Sequence, residues 1–124
     1  MAGQKAHRKS SITELELSVV GLGYRMTPEK MERVAADAPL QVKLLREEWN
    51  EHDGNAVMVW LDEQPYHFHI GYLPKEVAAV IAPKLDAGEL EITEAWLASV
   101  DVPHAKGEIV VKARKMKSLQ NKEI

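Results

Sequence analysis

Asn50, His52, Asp53 and Asn55 fall within six positions, directly ahead of the strand-like run Ala56–Leu61. An imidazole beside a carboxylate is the raw material of a base and its orienting group. Neighbours in sequence rarely reach each other that way, however, and no nucleophile elbow or P-loop accompanies them. "GLG" at Gly21–Gly23 lacks the rest of a dinucleotide fingerprint. The same residue types also close turns, because Asn and Asp side chains bond to the backbone just ahead of them. A second candidate is His67-x-His69, two imidazoles that a strand would turn to one side. They are the weak candidates for a divalent ion, but no carboxylate at matching spacing completes a ligand set. The expectation is a solvated strand face, with no metal and no cofactor. Tyr24, Trp49 and Tyr72 each end an expected strand, and Tyr66 falls in an expected turn. Such aromatics serve either as rim packing or as stacking platforms for bases.

The elements that would position these groups follow from periodicity. Ile12–Tyr24 alternates Leu15, Leu17 and Val19 with Glu14, Glu16 and Ser18, a half-buried strand ending at Gly21 and Gly23. Thr27, Pro28 and Glu29 form a helix start, and Pro39 closes that short helix. Strands are expected over 40–49, 56–61 and 68–73, with residues 62–67 as a turn. Pro74 then opens a helix carrying Val77, Val80 and Ile81 on one face, with Gly88 past its end. Pro83 lies inside and should kink that helix or split off its last turn. Two more strands cover 89–100 and 107–116. The order β-α-β-β-β-α-β-β rules out a doubly wound parallel sheet. It implies a mainly β, α+β domain: a small antiparallel barrel with a helix plugging one side.

At 124 residues, with 45% hydrophobic and 28% charged positions, the chain is one domain able to bury a core. Its parts are a flexible basic leader (1–11), one folded unit (12–116) and a frayed tail (117–124). The absence of cysteine excludes a disulfide frame and a thiolate zinc site and fits a reducing, cytoplasmic setting. No apolar run is long enough to cross a bilayer, and no secretory h-region is seen. The net charge of −3 hides an asymmetry: residues 1–10 carry +3 and residues 106–124 carry +4, leaving −10 on residues 11–105. Basic ends on an acidic body fit phosphate contact at one edge, not a wholesale coat on DNA.

Three blocks in order, "VVGLGYR", "LLREEWNEHDGNAVMVW" and "HIGYLPKEVAAVI", resemble the signatures of the HIRAN domain over about residues 15–112. The resemblance implies an OB-like barrel that captures the 3′ end of single-stranded DNA without catalysis. It further implies that Tyr24 stacks on the terminal base and that Arg25 beside it meets phosphate. Asn50, His52 and Asp53 would line the end pocket, with Asp53 accepting from the 3′-hydroxyl and Asn55 holding the loop. Tyr72 and Lys75 would flank the nucleotide and its phosphate. A DNA helicase, nuclease or repair protein is the implied class of partner. Two competitors are a protein-interaction domain that keeps the barrel but not the pocket, and a metal-assisted nuclease. An apolar patch around Trp49 and Trp60 would favour the first of these.

Overall fold

The structure is a computed structural model that describes residues 12–116; the expected leader and tail lie outside them. Six strands run β1 (Ile12–Val19), β2 (Leu40–Arg46), β3 (Val57–Glu63), β4 (Tyr66–Tyr72), β5 (Leu90–Asp101) and β6 (Lys106–Lys115). Two helices, α1 (Pro28–Asp37) and α2 (Lys75–Asp86), complete the expected order. All strand pairs are antiparallel, in the sheet order β1-β6-β5-β2-β3-β4. The two ends of that sheet meet: Val20 and Tyr72 exchange backbone hydrogen bonds of 2.9 and 3.0 Å. The sheet is thereby rolled into the expected small antiparallel barrel.

Period-2 alternation explains which residues enter it. Ile109, Val111 and Ala113 of β6, Ala95 and Leu97 of β5, and Val57, Val59 and Leu61 of β3 are all buried in one cluster. Met31 and Val34 of α1 and Ala78, Ile81 and Ala82 of α2 join the same cluster, so both helices pack on the barrel. Thr27 caps α1 through its hydroxyl, which accepts from the Lys30 amide at 3.2 Å, and Pro28 opens the helix.

Several local expectations are corrected. The first strand stops at Val19; Gly21, in the left-handed region at φ 84°, turns it into a short 3-10 helix over Leu22–Tyr24. The second ends at Arg46, so Trp49 belongs to a loop. Helix α2 runs through Pro83 to Asp86 without splitting. The expected turn over 62–67 shrinks to Gln64 and Pro65, because Glu63 already pairs with Tyr66. Tyr66 is therefore a buried strand residue, and its hydroxyl donates to Asp37 Oδ2 at 2.6 Å.

Candidate functional site

The loop between β2 and β3 is built by its own polar side chains. Asn50 Oδ1 accepts from the amides of His52 (2.8 Å) and Asp53 (2.9 Å), and Asp53 Oδ1 accepts from the Asn55 amide (2.9 Å). These bonds close successive turns, the role such residues have in loops generally. Arg46, at the end of β2, ties the loop down. Its guanidinium donates to the carbonyls of Ala56 (2.7 Å) and Gly54 (2.8 Å) and forms a forked pair with Asp86 of α2 at 2.9 and 3.1 Å. One planar cation thus fixes the loop to a strand and a helix.

So held, the loop forms one wall of a cleft of about 370 Å³. Asn50, His52 and Asp53 come from the loop, and Tyr72 and Lys75 come from the end of β4 and the start of α2. Val20, Ala56 and Leu73 give it an apolar floor. Five of the seven residues expected to form a site therefore line a single cleft, although eighteen residues lie between the two segments that supply them. Tyr24 and Arg25 lie outside it, on the 3-10 turn that follows Val20. The Tyr24 ring is 94% exposed. Arg25 Nε donates to the His69 carbonyl at 3.2 Å, which holds the guanidinium against β4.

A polar network lies behind the cleft. Glu47 Oε1 accepts from the Tyr72 hydroxyl at 2.7 Å and from Asn50 Nδ2 at 2.9 Å. Those two bonds, from Asn50 first and Tyr72 next, hold the Glu47 carboxyl below the ordinary carboxylate range. Burial, and then the bond to Glu47, push the Tyr72 phenol up, so it keeps its proton. The Tyr72 ring meets His69 edge-on at 4.8 Å, and His69 lies parallel to Trp60 at 5.7 Å. Burial lowers the His69 pKa and leaves the imidazole neutral at pH 7; its Nε2 donates to the Gly71 carbonyl at 2.8 Å. His67 instead lies 3.3 Å from Asp62 Oδ1. Among the described residues, no three His, Asp or Glu side chains converge as a metal site would require.

The HIRAN domain family model matches residues 12–114. The chain belongs to the HIRAN family. Its fold is that of the HIRAN domain of human HLTF in a crystal structure, at 22% identity and a TM-score of 0.63, covering 93% of this chain and 87% of that one. An NMR structure of the HLTF HIRAN domain in its DNA-bound conformation gives 22% identity and a TM-score of 0.62, covering 98% and 89%. A crystal structure of a Lactobacillus plantarum protein gives 20% and 0.62, covering 83% and 98%. No curated protein sequence matches the chain.

Within this HIRAN domain, two residues at the cleft had no role legible in the sequence. Arg46 and Glu47 stand in the block that carries the resemblance, yet nothing in their spacing says that one staples the loop and the other binds Tyr72. Their distant partners, Asp86 for Arg46 and Tyr72 for Glu47, lie 40 and 25 positions away, beyond any local pattern.

Proposed function

We propose that this HIRAN domain is a non-catalytic DNA-binding module that takes the 3′-hydroxyl end of a single strand into the cleft. The observation that carries the reading is the meeting of Asn50, His52 and Asp53 with Tyr72 and Lys75 around one 370 Å³ space. The shared fold with a HIRAN domain that has a DNA-bound conformation supports DNA as the ligand. Asp53 keeps one carboxylate oxygen free of donors among the described residues, so it can accept from a terminal hydroxyl and repel a terminal phosphate. Lys75 neutralises a phosphate on the incoming strand. Tyr24, four residues beyond Val20 of the cleft and almost fully exposed, stacks on a base. Arg25 adds a second cation.

The magnitudes agree with a modest binder. Stacking contributes about 1–3 kcal/mol per base, and a hydroxyl bonded to a carboxylate about 1.5–3 kcal/mol. After a flexible strand is ordered, affinity on the order of micromolar remains. Such a module works in the cytoplasm, alone or as the targeting unit of a helicase, nuclease or other repair partner.

Fluorescence anisotropy at low salt tests this directly, with short single strands ending in a 3′-hydroxyl or a 3′-phosphate. The hydroxyl end should bind at least several-fold tighter, and Asp53→Ala should remove the difference. Equal binding of both ends by the wild type would overturn end capture, and no binding at all would overturn DNA as the ligand. In that last case Trp49, 70% exposed on the same loop, becomes the anchor to test for a protein partner.

A further inference from the structure

Resting on that reading, we infer that Glu47 sets the end selectivity of the cleft by holding the proton of the Tyr72 hydroxyl. A tyrosine hydroxyl has one proton to donate and lone pairs to accept with. Here the proton points at Glu47 Oε1, 2.7 Å away, so the phenol oxygen faces a ligand as an acceptor only. Asn50 is similarly engaged: its Oδ1 accepts two backbone amides, one N–H of its Nδ2 donates to the same Glu47 oxygen, and its amide also acts on the Tyr72 oxygen, where it favours the phenolate against the larger effects of burial and Glu47.

Beside the His52 imidazole and the Lys75 ammonium, what Asn50, Asp53 and Tyr72 together offer a strand end is mainly acceptor character, from the Tyr72 oxygen and the second oxygen of Asp53. A 3′-hydroxyl brings a donor and is matched. A 3′-phosphate brings acceptors and charge and is left unmatched, which is the more costly failure. Without Glu47, the Tyr72 hydroxyl is free to turn outward and donate to a phosphate oxygen. Glu47 touches no nucleotide in this scheme; it is a positioning residue that fixes the hydrogen-bonding sense of another side chain.

The test compares three variants by the ratio of affinities for 3′-hydroxyl and 3′-phosphate strands, with thermal midpoints measured alongside. Glu47→Leu removes the acceptor, and the ratio should fall several-fold because the phosphate end binds more tightly. Glu47→Gln keeps a carbonyl oxygen that accepts from both Tyr72 and Asn50, and most of the ratio should return. Tyr72→Phe should lower the ratio differently, by weakening the hydroxyl end without strengthening the phosphate end, and it serves if Glu47→Leu does not fold. An unchanged ratio in Glu47→Leu overturns the inference while leaving end capture intact. A Glu47→Gln variant as impaired as Glu47→Leu also overturns it, because net charge would then be the cause. A wild type that does not discriminate between ends sinks this inference and end capture together.

Discussion

Tyr24 is the residue whose exposure most needs a reason. A ring left 94% in water contributes almost nothing to the core, so its removal should leave stability unchanged. If it stacks on a base, Tyr24→Ala should weaken single-strand binding by about 1–3 kcal/mol, roughly 5- to 150-fold, with Tyr24→Phe close to wild type. Anisotropy together with a thermal melt separates the two quantities. Loss of affinity shared equally by Tyr24→Phe would point to the hydroxyl instead of the ring. Other residues resisted reading at this scale. Tyr66 looked like a turn residue because Gln64 and Pro65 sit just before it; the turn is so tight that Tyr66 is already in register with Glu63 and buried. An apolar patch around Trp49 and Trp60 would favour a protein partner, but the Trp60 ring is half-buried and stacked on His69, nine residues on. The polar loop was more legible, since Asn50, Asp53 and Asn55 announce turns by their own chemistry. That the same loop would form the wall of a cleft depended on the resemblance and on residues far along the chain.

At the scale of elements, alternation identified the strands because each has one face in the core, while their ends escaped it. The chain leaves β1 where Gly21 adopts a left-handed conformation, and no period marks that position. The most consequential element feature left no signal of its own. Gly71 lies where β4 approaches the segment after β1, and a Cβ there would run into the Val20 carbonyl oxygen and come within 2.9 Å of Val19 Cγ1. That approach is what lets Val20 and Tyr72 exchange their two backbone hydrogen bonds and close the barrel. Gly71→Ala should therefore destabilise the fold by about 1–3 kcal/mol, the usual penalty for overpacking, as read from urea unfolding. It should also speed hydrogen exchange at the amides of Val20 and Tyr72. A variant with wild-type stability and exchange would mean that β4 yields without loss, and that closure does not depend on a glycine here.

For the whole molecule, the barrel is two three-stranded halves joined unevenly. β2 meets β5 through only Leu40–Leu97 and Gln41–Trp96, and the other seam is the Val20–Tyr72 bridge. The cleft sits on that second seam, since Val20 and Tyr72 both line it, so the closure that completes the fold also assembles the site. Charge distribution then decides how DNA would be felt from a distance. The basic C-terminal strand is partly neutralised by its neighbour: Lys112 lies 3.6 Å from Glu94 and Arg114 3.1 Å from Glu91. Around the cleft, Arg25 and Lys75 form no ion pair among the described residues, and they stand on a body carrying −10 over residues 11–105. Two phosphate contacts on a single strand predict a weak salt response, with log Kd rising against log salt at a slope of about 1.4. Affinity should then rest mainly on stacking and end recognition, and survive moderate salt. A titration series measured by anisotropy checks this, and Lys75→Ala should lower the slope by about 0.7. A wild-type slope near 4 or above would require more cations than the cleft supplies. Lys5, Arg8 and Lys9, which lie outside the described residues, would then be the first to replace, because residues 1–10 hold these three cations and no acid.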